Sequence, residues 1–155
     1  MPSAVPRPVV AGLVAVTAIL LTGASVQPAA ASVSSSYEHA AQKQTNVERS
    51  DRDLRKLKKS SCLDRFAEKQ ARAMAEQQRM FHQDLGPILQ TCHLSQVGEN
   101  VAYGYPNGKA VVAAWMASPG HRHNILTARY RTTGVGAYQD VDGRWYVSQV
   151  LGRHV

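Results

Sequence analysis

Apolar positions fall into distinct patterns along the 155-residue chain. Val9 to Leu21 is almost wholly apolar (VVAGLVAVTAILL), yet shorter than the roughly 20 residues that span a bilayer. Tyr37 to about Ser50 is polar but helix-compatible, with Tyr37, Ala40, Ala41 and Val47 as sparse apolar points. From Ser60-Ser61 onward, Leu63, Phe66, Ala67, Gln70, Ala73 and Met74 recur at helical spacing. Ser61 with Asp64 three later resembles a capping box at the start of that helix. Met80-Phe81 is its last apolar pair, His82 follows at once, and Leu85 to Leu89 suggests a second helical turn. Gly98 to Gly108, rich in Gly, Asn, Tyr and Pro, reads as a loop. Lys109 to Ala117 reads as a helix stopped by Ser118-Pro119-Gly120, with a short helix over Arg122 to Leu126. Thr132 to Gln139 and Arg144 to Leu151 are β-like. The intervening Asp140-Val141-Asp142-Gly143 signals a hairpin. Helices followed by a terminal antiparallel hairpin predict one α+β domain.

Residues 1–31 have the marks of a secretory signal peptide: Arg7 and the α-amino group, the apolar run, then Pro28 and Ala29-Ala30-Ala31. Cleavage is expected after Ala31, and a retained anchor is the alternative. Residues 32–36 form a polar lead-in and 37–155 the domain. No second apolar run of membrane length follows, so the mature form is expected to be secreted and not membrane-spanning. Export makes Cys62 and Cys92, the only cysteines, a disulfide pair. A single free nucleophilic thiol is the rival reading.

Apolar residues at 44% exclude a disordered chain, and charged residues at 19% exclude a long exposed helix. Lys plus Arg number 18 against 11 Asp plus Glu, for a net charge of +7. A basic exported protein can adhere to anionic wall polymers or acidic lipids. No aromatic-plus-basic stripe points to nucleic acid. Asp51 to Lys59 is dense in charge, with Arg52, Arg55, Lys56, Lys58 and Lys59, while Leu54 and Leu57 are spaced to face inward. This basic run is a solvated face or, alternatively, an adhesion surface.

The six histidines are His39, His82, His93, His121, His123 and His154. There is no His-Glu-x-x-His helix, C-x-x-C pair, P-loop or G-x-S-x-G elbow. Gly134 and Gly136 sit in a strand-like run, where they permit close backbone approach. Ser118 lies three before His121, but no local acid orients it as a hydrolase pair.

Three segments carry a resemblance. They are Gly98-Glu99-Asn100-Val101-Ala102 with Gly104, Trp115 to Arg122 with Asn124-Ile125-Leu126, and Gly134-Val135-Gly136 followed by Trp145-Tyr146 and Gln149. With Phe81-His82 upstream, they resemble the bacterial short form of the CAP superfamily, also called SCP-like, over roughly residues 37–155. The resemblance implies an α-β-α sandwich with a small antiparallel sheet. It implies a cleft where a divalent cation, usually zinc, binds two His, here His82 and His121, beside an acid, here Glu99. A second Glu of animal and plant members falls at Ser118, so Ser118 would line that cleft. At Asp53 to Leu57 this chain lacks the Gly-Leu-Pro-like stretch of many relatives.

The function so implied is a secreted, non-catalytic binding module for a lipid, another small apolar ligand or a cell-surface component, acting as a monomer without an organic cofactor. A metal-dependent hydrolase or peptidase using His82, Glu99 and His121, with Glu99 as the catalytic group, is the alternative. A purely structural hydrogen-bonded network of those three residues stays open beside both. His123 would point away from His121 on a helix, and His93 is expected in an exposed loop. Trp115 is expected in the core, and Trp145 and Tyr146 on opposite sheet faces, one inward and one outward. Asn100 and Asn124 are expected to cap turns or helices.

Overall fold

The computed structural model describes Met1 and residues 28–155. The apolar run Val9 to Leu21 and most of the expected leader lie outside the described residues. Helix α1 (Pro28–Ser50) takes in the lead-in at 32–36. Its buried stripe is Tyr37, Ala41, Thr45 and Arg49, each four residues apart, the spacing that keeps one helix face inward. Two of these four are polar, which explains the sparse apolar signal there. After β1 (Lys58–Lys59) comes α2 (Ser61–Glu76), which buries Leu63, Ala67, Gln70, Ala71, Met74 and Ala75. Its cap is Ser60, not Ser61: the Ser60 hydroxyl accepts from the Leu63 N–H at 3.4 Å. Asp64 is free of capping duty and instead accepts from the Val135 N–H.

Then follow α3 (Gly86–Thr91), β2 (Leu94–Tyr103), α4 (Gly108–Ala117), α5 (Pro119–Leu126), β3 (Thr132–Gln139) and β4 (Trp145–His154). The sheet order is β1-β3-β4-β2. β3 and β4 form the expected hairpin, β2 pairs antiparallel with β4, and the two-residue β1 runs parallel to β3. Helices α2 and α3 cover one sheet face, and α1, α4 and α5 lie on the other side. The result is an α-β-α sandwich.

Two expectations fail for one reason. Residues 98–103 belong to a strand, not a loop, and Trp145 and Tyr146 are both buried. Trp145 packs with Tyr37, Val112 and Trp115, and Tyr146 packs on the opposite face with Met74 and Val101. A sheet covered on both faces has no solvent parity to read. β2 has only one neighbouring strand and contains Gly98, Glu99 and Asn100, poor strand formers held by their surroundings.

The close-approach reading of the glycines is met by the packing of α2. A Cβ on Gly134 would lie 2.2 Å from the Leu63 carbonyl carbon, and one on Gly136 would lie 2.2 Å from the Glu68 nitrogen. Cys62 and Cys92 are bonded, with Cα atoms 5.9 Å apart, tying the start of α2 to the end of α3. For that loop length the chain-entropy contribution is about 3–4 kcal/mol.

Candidate functional site

β2 is an edge strand, and its side chains alternate between the two helical layers. Glu99 pairs with Val150, whose side chain packs on Leu63 and Ala67, so Glu99 faces the α2 layer. Its side chain is 1% exposed. Both carboxylate oxygens are doubly occupied. Oε1 accepts from Ser148 Oγ at 2.8 Å and Gln83 Nε2 at 2.6 Å. Oε2 accepts from the Gln83 N–H at 3.3 Å and meets His82 Nδ1 at 2.8 Å. A carboxylate can only accept, so Nδ1 carries a proton, and in the neutral ring the lone pair is therefore on Nε2. The His82 side chain is 60% exposed, so one end of the ring is fixed and the other is accessible.

Across the strand, an amide network sets the position of α5. Asn124 Nδ2 donates to the Glu99 carbonyl at 3.0 Å and to Asn100 Oδ1 at 2.9 Å. Asn100 Nδ2 donates to Gln149 Oε1 at 3.1 Å and to the His121 carbonyl at 3.3 Å. Gln149 Nε2 continues to Thr45 Oγ1 at 2.9 Å. Asn100 and Asn124 therefore join strand to helix rather than cap a turn. Gly98 is required beside them, since a Cβ there would lie 2.7 Å from the Tyr130 hydroxyl and 3.0 Å from Asn124 Oδ1. His121 is half-buried. Burial, and secondarily the charge of nearby His82, hold its pKa below the ordinary histidine value. The neutral imidazole, the form that ligates metals, is thereby favoured.

Trp115 is in the core, 1% exposed, and its Nε1–H also donates to the Val101 carbonyl at 3.3 Å. Ser118 sits at the α4–α5 junction, where its N–H donates to the Trp115 carbonyl and its carbonyl accepts from Arg122. His123 is exposed, two residues beyond His121. His93 is exposed in a left-handed conformation at φ 50°. Gln83 and Ser148 are the site residues that sequence reasoning missed. The available signal was Ser148-Gln149, two polar residues inside the otherwise apolar run Trp145 to Leu151.

No group of three or more His, Cys, Asp or Glu side chains able to hold a metal exists among the described residues. The available donors are two imidazoles, because Glu99 spends its lone pairs on the protein. That set fits a loosely held divalent cation completed by water, not a closed structural zinc site.

The cysteine-rich secretory protein (CAP) family model matches residues 30–151. The chain belongs to the CAP family. It is 30% identical over 126 residues to the uncharacterised protein YkwD of Bacillus subtilis, covering 77% of this chain and 48% of YkwD. Its fold is similar to that of an extracellular protein containing an SCP domain from Bacillus anthracis, with TM-score 0.73, 24% identity, and coverage of 80% of this chain and 42% of that one. A cysteine-rich secretory protein from Staphylococcus aureus, SAV1118, gives TM-score 0.66 at 24% identity, covering 77% of this chain and 38% of that one. This CAP chain thus spans less than half the length of each of these relatives. Among its described residues no helix is long and apolar enough to cross a membrane.

Proposed function

We propose that this CAP domain is a secreted, non-catalytic binding module in which His82 and His121 together take a divalent cation such as zinc. The observation that carries this reading is the saturation of Glu99. With four hydrogen bonds on two oxygens and 1% exposure, Glu99 is an orienting group, the carboxylate partner that sets tautomer and ring direction in many metal-binding histidines. Such a carboxylate is poorly placed to take a proton from a water or substrate, since a general base must reach the proton it abstracts. This favours binding over the hydrolase reading. A bound cation would supply Lewis acidity and open coordination positions for an oxygen or nitrogen donor of a ligand.

For an apolar ligand, a groove of about 710 Å³ offers a lining that mixes the charged Glu38, Arg65, Glu68, Lys69 and Arg72 with Ala137 and Tyr138. Export and cleavage after Ala31 are part of the same proposal, and the intact mass of protein recovered outside the cell tests them.

The metal reading is tested by zinc titration calorimetry at neutral pH on the wild type and on His82→Ala, His121→Ala and His123→Ala. Wild type and His123→Ala should bind alike, and the other two should lose at least tenfold in affinity. If all four bind alike, or none binds, the three residues are a structural network only.

A further inference from the structure

Arg49 is 0% exposed and faces no carboxylate among the described residues. Its guanidinium is instead spent on backbone carbonyls. Nε donates to Arg55 at 2.8 Å, and one terminal nitrogen donates to Ile125 at 2.7 Å and Thr127 at 3.0 Å. The other donates to Tyr130 at 3.4 Å. This single side chain clamps the 51–57 loop against the 127–131 turn. Leu57, Tyr130 and Leu151 seal the joint with a small apolar cluster.

Each clamped segment is basic. Backbone bonds then align them with the end of the sheet: the Lys58 N–H donates to the Arg131 carbonyl, and the Arg131 N–H donates to the Gly152 carbonyl, both at 2.9 Å. Thr132 pairs with Gly152, so Arg131 and Arg153 are next in line at the strand ends. Arg55, Lys56, Lys58, Arg129, Arg131 and Arg153 are thereby gathered at one end of the molecule. All six are exposed, and none takes part in an ion pair among the described residues. Arg52 and Lys59 of the same stretch are paired, with Glu48 and Asp64. Asp51 and Asp53 are the acids within the loop. Like charges placed side by side oppose folding, and here a buried arginine holds them together.

We infer that this end of the sheet, gathered by Arg49, is a docking surface for a linear polymer of phosphodiesters outside the cell. Four of the six cations are arginines, whose planar fork matches phosphate oxygens. A row spread over three strand ends and two loops suits a chain of repeating charges. Of the exposed apolar residues, Tyr103, Tyr138 and Val141 lie at the opposite, hairpin end, and Val155 lies at this end beside Arg153. Attachment at this surface is independent of His82 and His121.

The test measures binding of the full chain to immobilised poly(glycerol phosphate) across a salt series, with phosphatidylglycerol/phosphatidylcholine vesicles as a second arm. Lys56→Gln/Lys58→Gln/Arg153→Gln removes three patch cations whose side chains make no hydrogen bond among the described residues. Arg65→Gln/Lys69→Gln/Arg72→Gln removes the same charge from the outer face of α2. The wild type should bind the polymer, and binding should weaken steeply with salt. The patch variant should bind at least tenfold more weakly, with a log–log salt slope smaller by about three. The α2 variant should lose less than threefold. Equal losses in the two variants would reduce the effect to net charge and overturn the inference. Absence of wild-type binding, or binding to vesicles as tight as to the polymer, would overturn it as well.

Discussion

Two long flanks of the sheet lack a neighbouring strand, and the domain closes them with opposite chemistry. Along β2 the outward groups closed are carbonyls: Glu99 accepts from Asn124 and Val101 from Trp115, both uncharged donors. Along β3, beyond the two residues paired with β1, they are N–H groups. Val135 donates to Asp64 at 3.2 Å and Ala137 donates to Glu38 at 3.1 Å. Both devices deny an incoming strand its hydrogen bonds. They differ in what they make sensitive. The β3 flank rests on carboxylates, and burial raises Glu38 to a pKa of about 7. The β2 flank rests on neutral groups and carries the histidine site. Closing an edge thus leaves β2 free to position chemistry, while β3 becomes a titrating seam.

The largest expected effect breaks the β3 side. Asp64 reaches Val135 only because α2 lies against Gly134, so Gly134→Ala should push helix from strand and cost about 3 kcal/mol, read by chemical denaturation. On the β2 side, Trp115→Phe keeps most of the core ring but orphans the Val101 carbonyl. A loss of about 1–2 kcal/mol is expected, with the disulfide intact.

The smallest and most discriminating effect is the sign of the pH dependence. Glu38 is raised above its ordinary 4.5. Its contribution to stability is therefore full below pH 4.5 and is lost as pH rises through about 7. His121 is lowered from 6.5, so its contribution is full above pH 6.5 and is lost as pH falls through its folded value. Thermal melts of Glu38→Gln should lose the decline on the alkaline side. Those of His121→Asn should lose the decline on the acid side. The same sign of change in both variants would dissolve the contrast.

How much of this was legible in the sequence follows the same division. The β3–β4 hairpin was readable because its turn chemistry is local: Asp140 Oδ1 accepts from the Asp142 and Arg144 N–H groups, and Gly143 takes φ 76°. Helix α2 was readable from its spacing, and Gly134 and Gly136 from their place in a strand. β2 was not, because Gly98, Glu99 and Asn100 form a strand only against Val150 and Gln149, some fifty positions away. The pairing of His82 with Glu99 came from resemblance rather than periodicity. Gln83 and Ser148, which set the carboxylate's role, are fixed by tertiary contact. In the sequence Arg49 is one of 18 Lys and Arg residues, and only its position on the buried stripe of α1 reveals the clamp.

In the proposed site, Glu99 holds the Nδ1 proton of His82 and leaves Nε2 of the neutral ring open toward a ligand shared with His121. Long-range proton–nitrogen NMR of the metal-free protein at pH 8 reads the tautomer of each ring directly. The expected spectrum shows His82 as the Nδ1–H tautomer, with the unprotonated Nε2 resonance moving on addition of zinc together with a ring nitrogen of His121. A His82 ring protonated at Nε2, or nitrogen resonances unmoved by zinc at both histidines, would contradict it.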